Sequence, residues 1–328
     1  MTVLVTGGAG YIGSHTVRLL RERGRDVVVL DSMEHGHPAA VLGAPLVEGD
    51  IADSDLVART VADHDVDSVV HFAAYKAAGE SMERPDRYFT NNVAGTNALL
   101  HALDGAGVHR TVFSSSCAVY GTPTSLPVDE AHPLAPESPY GESKAMVEQM
   151  LRWYDECHGL RSVSLRYFNA AGAADDGRIG EDWTVTLNLV PLVMKAALGR
   201  IPAISVFGTD YPTRDGTAVR DYVHVDDLAD AHVRALEHLE EGGATTVVNL
   251  GTGTGSTVRE VIDTARQVSL VDIPSEDAPR RPGDPVAVYG DNQRALEVLG
   301  WKPERDLTDV VASAWRWHST HPDGYASE

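Results

Sequence analysis

Three glycines at the first strand-to-helix junction constrain this chain more than any other feature. The segment TGGAGYIG follows the apolar run Val3 to Thr6 and leads into an amphipathic stretch from about Ser14 to Arg23. With Gly7, Gly10 and Gly13 in such a turn, backbone N–H groups and the helix N-terminus can approach a pyrophosphate without side-chain clash. By itself the triplet also fits a tight turn with no ligand. Asp31 narrows the choice: it ends the next apolar run, about 20 residues on, where a carboxylate can accept hydrogen bonds from an adenosine ribose. That acid selects NAD over NADP.

Beyond the turn, short apolar runs alternate with longer amphipathic ones, the pattern of crossover helices on a parallel sheet. Strands are expected at Val3 to Thr6, Asp26 to Leu30, Pro45 to Glu48, Ser68 to Phe72, Thr111 to Ser114 and Ser162 to Arg166, and the run Val247 to Leu250 reads as a core strand. Helices are expected at Ser14 to Arg23, Leu56 to Val61, Asn92 to Leu103 and Tyr140 to Cys157. After about residue 170 the alternation breaks down and Gly/Pro turns multiply. The expected fold is therefore α/β: a doubly wound parallel sheet over residues 1–169 that binds NAD, and a smaller C-terminal substrate-binding lobe over 170–328, with some C-terminal segments returning to the first unit. Pro322 to Glu328 reads as a loose tail.

Charge narrows the partners. The 328 residues carry a formal net charge of -21, which disfavours nucleic acid, since phosphate backbones are held by clustered Lys and Arg. Any anionic ligand must be met by local cations. Cys117 and Cys157 are the only cysteines and form no CxxC pair, so neither a disulfide framework nor a zinc site is indicated. The histidines, His35 and His37 included, lack the spacing that would complete a metal site. With no charged leader and no stretch of about 18 apolar residues, no membrane segment is expected and a cytoplasmic setting fits.

Two motifs carry chemistry. In SPYGESK, Tyr140 and Lys144 stand at i and i+4 on an expected helix, so phenol and ammonium share a face. A phenol with a pKa near ~10 needs nearby positive charge to act as a base at neutral pH, and Lys144 and an oxidised nicotinamide can supply it. The second motif, SSSCAVYG from Ser114 to Gly121, places three hydroxyls and a thiol where a strand ends. The residues alone leave open whether a serine, Cys117 or none of them reacts.

TGGAGYIGSH, GDI, HFAAYKAAGES, SSSCAVYG, SPYGESK, RYFNAAGA, FGTDYPTRDGTAVRDYVHVDDLA, RRPGD and WRWHSTHPDGY resemble, in order along nearly the whole chain, the UDP-glucose 4-epimerases of the extended short-chain dehydrogenase/reductase family. The GxxGxxG spacing points to the same branch of Rossmann-type folds. The segment from about Ser32 to Glu48 is the weakest part of the match. The resemblance implies a tightly held NAD, with Tyr140 as the acid/base group, Ser116 in the hydrogen-bond path between sugar and Tyr140, and Lys144 binding the nicotinamide ribose. Cofactor contacts implied are Gly7, Gly10, Tyr11, Ile12, Gly13, Asp31, Asp50, Ile51, Phe72, Ala73, Ala74, Lys76, Asn91, Tyr140, Lys144 and Phe168. For a UDP-sugar they are Lys76, Ser116, Tyr140, Asn169, Asn188, Leu189, Phe207, Arg220, Tyr222, Arg281, Asp284 and Val288. Arg220 and Arg281 would meet the diphosphate, and Val288, where some members carry tyrosine, leaves room for an N-acetylated sugar.

The same resemblance implies a homodimer through the helices near 92–103 and 140–157, the second of which carries Met146, Met150, Trp153 and Cys157 on one stripe. Two other readings share the scaffold. A nucleotide-sugar 4,6-dehydratase needs an Asp-Glu pair after the serine, where this chain holds Cys117 and Ala118. A non-catalytic dinucleotide sensor would lack Ser116, Tyr140 or Lys144, all of which are present.

Overall fold

A computed structural model describes residues 1–184, 188–281 and 283–325. Six strands come first: β1 (Thr2–Thr6), β2 (Asp26–Asp31), β3 (Leu46–Glu48), β4 (Val66–His71), β5 (Arg110–Ser116) and β6 (Arg161–Tyr167). The C-terminal half adds β7 (Asn169–Ala171), β8 (Ile204–Phe207), β9 (Val219–Arg220), β10 (Tyr222–His224), β11 (Thr246–Leu250), β12 (Ser256–Thr257), β13 (Ser275–Ala278) and β14 (Ala287–Val288). The main sheet has seven parallel strands in the order β3-β2-β1-β4-β5-β6-β11. The chain builds outward from β1 to β3, then jumps back to β4 on the other side of β1. That reversal opens a crevice at the strands' C-terminal ends, where doubly wound sheets take their ligands.

The helices are α1 (Tyr11–Glu22), α2 (Ser54–Asp63), α3 (Ala78–Glu83), α4 (Pro85–Tyr88), α5 (Thr96–Gly105), α6 (Pro139–His158), α7 (Leu189–Ala197), α8 (Val225–Glu240), α9 (Val258–Ser269), α10 (Gln293–Leu299) and α11 (Leu307–Thr320). The central strands are almost fully buried because both faces are covered. On one face Val3, Val5 and Val29 pack with Val17 and Leu20 of α1 and Leu228 and Leu236 of α8. Opposite them, Leu4, Val28 and Val69 meet Val57 of α2 and Leu99 and Leu103 of α5. A separate core of α7, α9 and α11, with Val193, Ile262 and Val310, supports the shorter strands.

The expected strands form within two residues of their predicted ends, and the run Val247 to Leu250 becomes β11, which pairs with β6 and completes the first sheet from within the C-terminal half. Two expectations need correction. The helix predicted over Asn92 to Leu103 begins instead with a wide π-type turn, Phe89–Gly95, and regular α-helix starts at Thr96. The tail is anchored as far as Tyr325, whose hydroxyl donates to Gly180 O at 3.0 Å and whose ring stacks on His37 at 4.7 Å; residues 326–328 lie outside the described residues. No helix among the described residues is long and apolar enough to cross a membrane.

Candidate active site

The parallel sheet delivers five chain segments to one edge: the glycine turn after β1, Asp31 at the end of β2, Phe72 after β4, Ser116 at the end of β5 and Phe168 after β6. Gly7 adopts φ +70°, and a Cβ there would lie 2.6 Å from Ala73 N, so the turn tolerates no side chain. Gly13 is as constrained, with Gly7 O 2.2 Å from any added Cβ. Gly10 caps α1 without a side-chain hydrogen bond, which leaves the helix's first N–H groups to an external acceptor. Asp31 is buried and accepts from Ala9 N at 2.9 Å and Met33 N at 3.0 Å, so it braces the turn with a carboxylate that retains further acceptor capacity. An uncapped helix N-terminus, a turn closed to side chains and an acid at the second strand fit an adenine dinucleotide such as NAD.

The other cofactor candidates differ in exposure. Tyr11 OH donates to Gly172 O at 2.6 Å, tying the turn to the segment after β7, and Ile12 packs against the core of the α1/α8 face. Phe72 and Ala73 both donate their N–H to Thr6 O, and the Phe72 ring lies 4.5 Å from that of His232. Ala74 is half-buried and Lys76 exposed. Asn91 donates to Asn92 Oδ1 at 2.9 Å. Asp50 is exposed and caps its own turn through Ala52 N, whereas Ile51 is buried in the α2/α5 core.

Tyr140 sits in the first turn of α6. Ser138 caps that helix by accepting from Gly141 N at 3.2 Å, Pro139 occupies the first turn, and the Tyr140 N–H donates to buried Ser81 Oγ at 3.2 Å. Burial pushes the phenol well above its usual pKa; the Tyr167 phenol adds to the push and the Ser116 hydroxyl opposes it. One turn on, Lys144 is buried, donates from Nζ to Ser114 O at 2.8 Å and lies 6.0 Å from the centre of the Tyr140 ring. Burial pulls its pKa down to about 7, against a lift from Glu148. Ser116 ends β5 and accepts from Ala118 N at 3.2 Å. The structure thus brings Ser116, Tyr140 and Lys144 together where β5 ends. Cys117 is not activated: burial raises its thiol to about 12.

In the C-terminal half, Arg281 lies over the Phe207 ring at 3.8 Å, and Arg220 pairs with Asp284. Val288 stands opposite Arg220 in the β14/β9 register. Tyr222 is buried in β10, and Asn169 N donates to Asp221 O at 2.9 Å. Asn188 and Leu189 open α7, where Asn188 Nδ2 donates to buried Glu181 at 2.9 Å. Phe168 is buried and touches the site of Gly290, where an added Cβ would come within 2.2 Å of the ring.

Sequence reasoning missed several groups that hold this arrangement. Asp221, between two selected residues, accepts from Thr252 N and Oγ1 and from Gly290 N, so a buried carboxylate ties three segments together. Asn92 accepts from Tyr75 N and donates to Ser143 Oγ, one residue from Lys144. Tyr167, adjacent to selected Phe168, shares a 2.6 Å hydrogen bond with Ser114 Oγ.

The sequence profile of the NAD dependent epimerase/dehydratase family matches residues 3–251. The UDP-glucose 4-epimerase of Halalkalibacterium halodurans is 47% identical over 329 residues, covering 100% of this chain and 98% of the relative. The crystal structure of UDP-glucose 4-epimerase from Brucella ovis in complex with NAD superposes with a TM-score of 0.94 at 45% identity, covering 96% of this chain and 97% of that one. That of the Bifidobacterium longum enzyme with NAD+ and UDP gives 0.93 at 40% identity, covering 99% and 100%. Glycine turn, Tyr-Lys pair and full-length likeness converge, and the chain belongs to the NAD-dependent epimerase/dehydratase family.

Proposed function

We infer that this protein interconverts UDP-glucose and UDP-galactose by inverting C4 of the sugar with bound NAD. The observation that carries the reading is the meeting of Ser116 and Tyr140, with Lys144 one turn on, at the C-terminal end of the same sheet whose first strand leads into the glycine turn. NAD, when bound, supplies the hydride acceptor and donor. Gly7, Gly10, Gly13 and the α1 N-terminus hold its pyrophosphate, Asp31 its adenosine ribose, and Lys144 its nicotinamide ribose; Phe168 packs against the nicotinamide end. Asp50 and Ile51 flank the adenine, and Tyr11, Ile12, Phe72 to Ala74, Lys76 and Asn91 line the path between.

Tyr140 takes the proton of the 4-hydroxyl by way of Ser116 and later returns it. Burial suits it to this work: an ionised phenol in a dry site is a strong base, and the Lys144 charge makes ionisation attainable. Loss of hydride from C4 leaves a 4-keto sugar whose C4 is planar and carries no configuration, so after the sugar turns its other face, return of hydride to C4 and of the proton to O4 gives the other epimer. Residues 170–328 hold the UDP, apart from β11. Arg220 and Arg281 meet the diphosphate as paired donors, while Asn169, Asn188, Leu189, Phe207, Tyr222 and Asp284 contact uracil, ribose or the chain between them. Val288 stands where a larger side chain would narrow the sugar pocket, and we extend the substrate range to UDP-N-acetylglucosamine on that ground.

A homodimer is part of the same proposal. Met146 and Trp153 of α6 are exposed, as are Met82 of α3 and Phe89 at the start of the wide turn before α5. Tyr154 and His158 reach Asn97 and Asp104 of α5, setting the two helices side by side as one surface. A second copy buries that apolar strip. Two free thiols suit a reducing, cytoplasmic setting.

Purified protein incubated with UDP-galactose without added NAD tests the reaction by proton NMR. UDP-glucose is the expected product. A 6-deoxy-4-keto sugar identifies a dehydratase, and an unchanged substrate refutes the assignment.

A further inference from the structure

Residues 32–37 leave the end of β2 and do not stay on its side of the sheet. Glu34 accepts a hydrogen bond from Tyr75 OH at 2.6 Å and pairs with Arg87. Tyr75 follows β4 and Arg87 belongs to α4, so both stand across the end of β1 from β2. Between them runs the crevice that starts at the glycine turn. The bridge is a network: Arg87 also donates to Glu80 at 2.5 Å and stacks over the Tyr75 ring at 3.9 Å, and Tyr88 OH donates to the same Glu80 at 2.9 Å.

The same segment is fixed at its other end. His37 N donates to Ala9 O at 3.0 Å, and its ring, stacked on Tyr325, reaches Asp182 at 2.6 Å. Between the anchors, Gly36 presses onto the crevice wall: a Cβ there would lie 2.8 Å from Ala9 Cβ and 2.9 Å from Asp31 Oδ1. The segment therefore spans from the second lobe, over the carboxylate expected to hold the adenosine ribose, to the far bank of the crevice.

We propose that residues 32–37 are a strap over the dinucleotide site, latched by Glu34 on Tyr75 and Arg87, and that this latch sets how long NAD stays bound. The inference rests on the functional reading above. A dinucleotide in the crevice leaves only when the Glu34 bridge opens, and the bridge is ionic and partly exposed, so salt weakens it. Glu34, Tyr75 and Arg87 thereby act on the cofactor's residence without belonging to the proton path.

The test follows bound NAD itself. Protein loaded with NAD is desalted into an excess of an NAD-consuming dehydrogenase system, and the cofactor left on the protein is measured by absorbance over time. Glu34→Ala and Tyr75→Phe are each expected to lose NAD about tenfold faster than the parent, equivalent to about 1.4 kcal/mol. The double variant is expected to be no faster than Glu34→Ala alone, because both changes open one latch. Raised salt is expected to speed release from the parent and not from Glu34→Ala. Both altered side chains lie outside the core, and circular dichroism verifies that the variants fold. Equal retention by parent and variants overturns the strap and leaves the epimerase reading standing. A parent that retains no NAD at all overturns both.

Discussion

Glu148 and Arg166 form a buried ion pair one helical turn beyond Lys144: Arg166 Nε donates to Glu148 Oε1 at 2.9 Å, and Nη2 reaches the second oxygen. Ser115 Oγ donates to the same carboxylate at 2.5 Å, and Arg166 Nη1 donates to Tyr120 OH at 2.8 Å. The pair joins the helix that carries Tyr140 and Lys144 to β6, and the Ser115 hydroxyl extends the link to β5, the strand that carries Ser116. Removing one partner strands the other's charge in a dry site, so Glu148→Gln is expected to cost about 3–5 kcal/mol. The double variant Glu148→Met, Arg166→Met is expected to cost less than the sum of Glu148→Met and Arg166→Met made singly. Urea unfolding of the four proteins in a double-mutant cycle measures the difference.

Tyr140→Phe removes the acid/base hydroxyl and keeps the ring against Tyr88, 6.4 Å away. Turnover is expected to fall by about 10²–10⁴-fold, with UDP binding, read by calorimetry, little changed. Full activity in the Tyr140→Phe variant would require another proton acceptor in the site.

His318 offers a test by acid. It is buried against Trp183, with ring centres 4.3 Å apart, and Nδ1 lacks a hydrogen-bond partner among the described residues. Burial, reinforced by the Lys195 charge, lowers its pKa to about 3 from an ordinary 6.5. Between those values the unfolded chain binds a proton that the native protein refuses. This contribution to stability is therefore complete above pH 6.5 and drains away as pH falls towards 3. His318→Phe keeps the stack and removes the titration. From about pH 7 to about pH 5 the parent is expected to lose about 2 kcal/mol more than this variant in urea unfolding.

Gly290 is predicted to govern the nicotinamide end through a residue it merely touches. The methyl group of Gly290→Ala would overlap the Phe168 ring, so either the ring or the segment held by Asp221 must move. Overpacking of this kind costs about 1–3 kcal/mol. The variant is expected to purify with less NAD per subunit than the parent, measured by absorbance after denaturation.

What could be read from the sequence was local. The glycine turn, Asp31 and the Tyr140–Lys144 spacing declare themselves because each depends on a strand end, a turn or one helical repeat. Asp221 does not, since its partners Thr252 and Gly290 lie 31 and 69 residues away. Glu34 looks like an ordinary loop acid until the fold sets it against Tyr75 and Arg87. The wide turn over Phe89–Gly95 has apolar spacing close enough to an α-helix to pass for one, and the side chain of Asn92 within it is engaged by Tyr75 and Ser143. Polar partners chosen by tertiary structure leave no periodic trace in the chain.

The late arrival of β11 bears on how this protein is made. Ser162 to Tyr167 leave the ribosome with one edge of β6 unpaired, and the strand that covers that edge follows only after about 80 further residues. At roughly 5–20 residues per second the edge stays open for several seconds of synthesis, during which its unpaired N–H and C=O groups can pair with a neighbouring nascent chain. Arrest of translation before Thr246 should therefore yield aggregating polypeptide rather than a free cofactor-binding unit, and arrest after Leu250 should not.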